Sequence, residues 1–195
     1  MNRKIFLIAV VVTSLLFLSC SDKEVKVTEE QKEQMRSTAA DFMGELKGIL
    51  INEIQTNGVV SALSVCSDTA QVLTNEFGLE RGVYIKRVSL KNRNENNFPD
   101  DFEQKVLNTF SEILENNKLD EKTEHAELIE EGEFTYLRYM KPILVQAICL
   151  NCHGAVGCIW EEASKLIEER YPNDKARKYD LDELRGAVSI KKLIE

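Results

Sequence analysis

Residues 125–140, HAELIEEGEFTYLRYM, followed by residues 149–153, CLNCH, decide how this chain is read. The first stretch holds two strand-like segments, His125 to Glu131 and Glu133 to Met140, meeting at Gly132. Apolar-rich runs hinged on a glycine are the pattern of an antiparallel hairpin. Lys141 to Ile148 either extends the second strand or forms another, with Pro142 favouring an edge because proline cannot donate to a ladder. Gly82 to Leu90 and Arg185 to Lys191 alternate in the same way.

Upstream of these strands the period is helical. Met35, Ala39, Phe42, Met43, Leu46, Ile49, Leu50 and Ile54 recur at steps of three and four, and Asn57-Gly58 is the expected stop. A second helix is predicted from Val59 to Glu76, closing at Gly78, with Cys66 on its apolar face and therefore inward. Phe102, Val106, Phe110 and Ile113 mark a third helix, and Trp160, Ala163, Leu166 and Ile167 another. Helices first, then an antiparallel sheet with intervening helices, is an α+β arrangement.

Cys149-Leu150-Asn151-Cys152-His153 has the spacing that attaches c-type haem covalently. Each cysteine adds through sulfur to a vinyl group, and the adjacent imidazole turns onto the iron, here His153. A lone C-x-x-C is also the redox pair of thioredoxin-like proteins and half of a zinc site. The remaining cysteines, Cys20, Cys66 and Cys158, form no second close pair, and the motif lies late, after hairpin-like segments rather than early in a βαβ unit.

Residues 1–19 read as a secretory signal, with Arg3 and Lys4 ahead of an apolar run from Ile5 to Leu18. Ser19-Cys20 resembles a bacterial lipoprotein cleavage site, so Cys20 is expected to carry the lipid anchor, followed by a charged tether over residues 20–32 and one domain over 33–195. The expected address is an exported lipoprotein on the periplasmic side of a bacterial membrane or at the cell surface. Without residues 1–19 the chain keeps 23 of its 25 basic residues against 33 acidic ones. A net charge of about −10 argues against nucleic acid, which wants a basic face, and leaves acyl chains to hold the membrane.

Four blocks carry a resemblance to a known family. They are Ala62 to Cys66; Arg87 to Asn94 with Asn97-Phe98-Pro99-Asp100; Cys149 to Gly154; and Tyr171 to Ala176 followed by Arg185 to Ser189. On these the chain resembles the PAS-like c-type haem domain of unknown function, first described in a cyanobacterial protein and found also ahead of sensor histidine kinases. The resemblance implies a five-stranded antiparallel PAS-like sheet with two N-terminal helices and flanking helices. It also implies one covalent haem c on Cys149 and Cys152, with Cys66 as the second axial ligand opposite His153. The chain departs from the family in its Tyr179-to-Glu183 turn, where glycines are usual, and at Glu95, where proline is.

The residues themselves leave the distal ligand open among Cys66, Met140, His125 and none, since an inward cysteine is ordinarily a small buried hydrophobe. A Cys66–Cys158 disulfide would remove that ligand. Lys91, Arg93 and Arg185 are candidates to pair with haem propionates, guanidinium forks suiting carboxylates; the alternative is that they cap helices or lie in solvent. Glu127 to Glu133 reads as a solvated strand face. With two histidines, no Ser-His-Asp set, no phosphate loop and no carboxylate pair at metal spacing, a non-enzymatic role is expected. The expected function is a low-potential electron carrier or redox sensor with His/Cys-ligated iron, served by a separate redox or signalling partner. The alternatives are a CO/NO sensor with a labile distal ligand, or a haem-free PAS-like ligand-binding lipoprotein with a redox dithiol.

Overall fold

The computed structural model describes residues 26–155 and 157–195; the expected signal sequence, Cys20 and the first part of the tether lie outside the described residues. Helix α1 (Glu29–Asp68) starts within the stretch read as tether. Thr28 and Gln31 form a reciprocal capping box there, which satisfies two otherwise orphaned backbone donors. The stop expected at Asn57-Gly58 is a kink instead, Gly58 taking φ 84°, a conformation that costs glycine little.

The second helix divides differently from expectation. Thr69 ends α1 by turning its hydroxyl onto the Val65 carbonyl at 2.6 Å. Then α2 (Ala70–Arg81) runs past Gly78 to a left-handed cap at Gly82. Position 78 takes glycine inside the helix because the segment leading into the next strand approaches closely: a Cβ there would lie 2.7 Å from the Val83 carbonyl oxygen.

Among the described residues four strands follow in the order β1-β4-β3-β2, all antiparallel: β1 (Tyr84–Val88), β2 (His125–Glu131), β3 (Phe134–Leu144) and β4 (Leu184–Leu193). The expected fifth strand is the end of β3. Lys141, Pro142 and Ile143 keep pairing with Val188, Ala187 and Gly186, whereas β2 stops at the His125–Met140 pair. Pro142 therefore lacks a donor on a side where no strand remains to receive one.

Alternation along the strands gives the sheet two apolar faces. Ile85, Leu137, Tyr139, Val188 and Ile190 pack under Met35, Ala39 and Phe42 of α1 and Phe77 of α2. Val88, Met140 and Ala187 pack on the other side against Val106, Leu107 and Phe110 of α3 (Asp101–Glu115). The far end of α1 turns onto α5 (Glu161–Arg170), where Leu63 meets Ala163 and Ile167. Trp160, expected on that apolar face, is the exposed residue before the helix. Glu127, Glu130, Glu131 and Glu133 are exposed, but not as one solvated face: alternation along β2 puts Glu127 and Glu131 on one side of the sheet and Glu130 on the other.

Two acidic groups with partners from other elements, Glu103 buried and Glu124 half-buried, escape periodicity. Glu103, 1% exposed, accepts from Ser189 at 2.6 Å and pairs with Lys86 at 2.9 Å. Glu124 accepts from Arg36 Nη2 at 2.6 Å and from the Tyr139 hydroxyl at 2.8 Å. Burial opposes the Glu124 charge, but these donors hold its carboxyl below the ordinary range. A carboxyl depressed in the folded state adds stability above its unfolded pKa, about 4.3, and that stability is lost as pH falls through the lower folded value. Glu124→Gln is expected to lower stability at pH 7 and to flatten the acid limb below about pH 4.3. Urea denaturation across pH checks this; an acid limb identical to the parent's contradicts it.

Candidate functional site

The C-x-x-C-H segment forms a short helical knuckle. Residues Ala147–Cys149 make a 3-10 turn that runs into α4 (Leu150–His153), and Gly154 closes it by donating to the Leu150 carbonyl at 3.0 Å. Near-helical geometry brings residues three and four apart onto one side. Cys149 and Cys152 are therefore neighbours, with His153 at the end of the turn. Both thiols are half-buried.

The loops around the sheet lock this knuckle in place. Arg93, in the loop after β1, donates from Nη2 to the Cys152 carbonyl at 2.7 Å and to the Ala176 carbonyl at 3.2 Å. Its Nε and Nη2 also bind both oxygens of Asp174 at 3.2 Å. Asp174 in turn takes the Ala176 backbone donor at 2.9 Å and Arg177 Nε at 2.9 Å. Burial works against the Asp174 charge, and these donors still hold its carboxyl below the usual range. A buried bidentate pair of this kind fixes orientation as well as energy.

His153 is oriented from the same loop. Its Nδ1 lies 2.7 Å from the Ala176 carbonyl oxygen, which can only accept, so Nδ1 carries the proton and Nε2 the lone pair. The Tyr179 ring stands edge-on at 6.3 Å between centroids. Burial, then the positive charges of Arg185 and Arg93, push the imidazole pKa well below its ordinary value. A neutral imidazole with its tautomer fixed by a carbonyl is the form that ligates a metal.

The expected cations are brought to this point in different ways. Lys91 Nζ sits 3.9 Å over the Tyr179 ring, and the Arg185 guanidinium carbon lies 5.3 Å from its centre. Arg185 also donates to Ser89 Oγ at 3.0 Å and to the Lys91 carbonyl at 3.3 Å. Arg93 is a staple between the knuckle and the 174–176 loop, a use that its sequence position does not reveal.

Cys66 departs from expectation: it is exposed, not packed inward. Beyond the Gly58 kink, Val59, Val60 and Leu63 are the residues that meet α5, and Cys66 falls outside that contact. Its thiol nevertheless has protein around it, burial pushing its pKa up while Arg87 and Arg93 pull it down. Cys152 feels Arg93 and Cys66 as well, so the three groups share one neighbourhood. Met140 and His125 lie elsewhere. Met140 is fully buried in the α3-facing core, and His125 packs on Phe102 with centroids 5.6 Å apart. Cys66 and Cys158 are both free thiols.

The donor set suits a porphyrin better than a bare ion. Among the described residues no cluster of three or more His, Cys, Asp or Glu side chains converges as a metal cage would need. Instead there are two adjacent thiols, one imidazole with a directed lone pair and a third thiol nearby, which fits a metal whose remaining ligands come from its own macrocycle.

An α+β domain with a stapled C-x-x-C-H knuckle beside its sheet defines the class. The chain belongs to the Tll0287-like family, whose model matches residues 21–192. Among solved structures it is similar to the crystal structure of the cyanobacterial heme-protein Tll0287. The identity is 24%, the TM-score 0.63, and the match covers 87% of this chain and 98% of that one. No curated protein matches.

Proposed function

We propose that this protein is a c-type haem protein with a PAS-like fold, exported and held to a membrane by a lipid on Cys20. In it one haem is bound covalently through Cys149 and Cys152, with His153 and Cys66 as axial ligands. Bound there, haem would supply a one-electron couple, and a thiolate ligand would set it at low potential. With both axial positions filled by the chain, we read the role as electron carrier or redox sensor acting on a separate partner, not as an enzyme.

The observation that carries the reading is the His153 imidazole. It is neutral, with Nδ1–H committed to the Ala176 carbonyl and Nε2 available beside two thiols of one helical turn. The chain's own part is to hold that ring still and to keep a third thiol within reach. Family membership and the likeness to a cyanobacterial heme-protein point the same way. Among the described residues no helix is long and apolar enough to cross a membrane; the anchor in this reading is the lipid on Cys20.

Visible absorption and EPR of the haem-loaded chain test the ligands. Cys66→Ala is expected to abolish a low-spin His/thiolate signal and to open ferrous iron to CO; a spectrum unchanged by that substitution rejects Cys66. The exposure of Cys66 favours one second reading, a gas sensor in which this thiol leaves on reduction. CO binding by the unmodified ferrous protein would select it.

A further inference from the structure

Away from the knuckle, the sheet face that α3 packs against carries an open cleft of about 610 Å³. On that face α3 covers Val88, Met140 and Ala187. Tyr84, Lys86, Tyr136, Arg138, Lys191 and Leu193 continue the same strand alternation and line the cleft. Asp100 and Glu103, from the start of α3, join them. The volume is that of a small-molecule site. The cleft shares no residue with the knuckle, nor with the Arg93, Asp174 and Tyr179 side chains that surround it.

The strand register sets Lys191 directly opposite Arg138 on one side and Tyr84 on the other. Like charges opposed across a ladder are destabilising unless something answers them. The carboxylates at hand answer Arg138 poorly. Glu103 is committed to Ser189 Oγ at 2.6 Å, the Asp100 N–H at 2.9 Å and Lys86 Nζ at 2.9 Å, and stands 3.5 Å from Arg138. Glu131, an exposed side chain, binds Lys191 but lies 3.8 Å from Arg138 Nη1. Arg138 is 5% exposed and donates one hydrogen bond among the described residues, from Nη2 to Asp100 at 2.7 Å. Its Nε is buried with no hydrogen-bond partner among them. A guanidinium carries five N–H donors, and burying them unmatched is costly. The Phe102 ring, 4.4 Å from the guanidinium carbon, supports the group from one face and satisfies none of these donors.

We propose that this cleft is a second binding site, taking a small organic monoanion in which a carboxylate is joined to a flat apolar body. Arg138 and Lys191 hold the carboxylate, a planar fork and an ammonium being suited to its two oxygens. Among the lining residues three cations, Lys86, Arg138 and Lys191, face two carboxylates, Asp100 and Glu103. The difference is a charge of +1 in a chain of net charge −8, which suits one negative charge on the ligand rather than two. The exposed Tyr84 and Leu193, with Tyr136, are the apolar surfaces on which the body lies. Entry of the carboxylate displaces Glu131 from Lys191, an exposed pairing that holds little energy.

Calorimetric titration of the haem-loaded chain with benzoate tests this, beside acetate, which has the charge without the body, and benzamide, which has the body without the charge. Saturable binding of one benzoate per chain is expected, with acetate and benzamide each weaker by about tenfold or more. Lys191→Met and Arg138→Met should each weaken benzoate by about tenfold, the loss of a charge-assisted hydrogen bond. Lys191 is half-buried and pairs with an exposed carboxylate, so its variant decides the question even where Arg138→Met fails to fold. The haem absorption spectrum should stay unchanged at saturating benzoate, since the cleft lies apart from the knuckle. No saturable benzoate heat, equal affinities in the parent and Lys191→Met, or benzamide bound as tightly as benzoate overturns the site. A haem spectrum shifted by benzoate and indifferent to Lys191→Met puts the ligand at the iron, and overturns it too. None of these results bears on the covalent haem assignment.

Discussion

Cys149→Ser combined with Cys152→Ser is expected to leave the protein without covalent haem. The expected loss is complete, because a serine hydroxyl is not the sulfur nucleophile that adds to a vinyl group. His153 would remain, oriented by Ala176 and Tyr179, so some haem could still associate. It would be extractable by acid solvent and absent from a denaturing gel stained for haem peroxidase activity. Single substitutions separate the two sulfurs. Each should leave one thioether and a pyridine haemochrome spectrum displaced from that of the doubly linked form. Haem staining of the double variant equal to the parent's would reject the attachment, and an unstained parent would reject the cofactor.

Arg93→Ala is expected to give the second large effect, on the folded state as much as on the site. The side chain holds Asp174, the Cys152 carbonyl and the Ala176 carbonyl together, and all three would lose a donor at once. Removing one partner of a buried ion pair costs about 3–5 kcal/mol because the survivor stays charged and buried. Here Arg177 remains on Asp174 at 2.9 Å, which argues for the low end, about 3 kcal/mol. In a domain of this size that corresponds to a fall in Tm of about 6–12 °C. The Ala176 carbonyl that orients His153 would also loosen, so the low-spin fraction of the haem-loaded protein should fall in parallel. Arg93→Lys should recover little, since an ammonium cannot bridge a carboxylate and two carbonyls in one plane. A Tm within a degree of the parent's would show that the staple is dispensable.

The two effects differ in kind because their residues are legible in the sequence to different degrees. The knuckle is local. Five consecutive residues carry two sulfurs and an imidazole, and one turn of backbone suffices to put them together, so their proximity is legible from spacing. The α3 face and the hairpin around Gly132 are legible for the same reason: burial imposes a period that the chain must repeat. Cys66 leaves the inward position that periodicity gives it: the helix expected over Val59 to Glu76 breaks at Thr69, and Val59, Val60 and Leu63 make the contact with α5, leaving Cys66 outside it. Among the described residues there is no fifth strand, because Lys141 to Leu144 continue β3 and keep pairing with β4 after β2 has ended. Glu103 and Glu124 look like surface acids in the sequence, since their partners come from other elements.

By itself the sequence determined the α+β class, the helical and strand periods and the covalent chemistry available at Cys149, Cys152 and His153. These depend on neighbours in the chain. Only the tertiary structure decided which tautomer His153 holds and that Arg93 clamps the knuckle. Arg93 lies 59 residues from Cys152 and 83 from Ala176, and no local pattern encodes which guanidinium reaches which carbonyl. Folding settles such pairings because a buried charge or carbonyl must find its partner wherever the packed chain brings one.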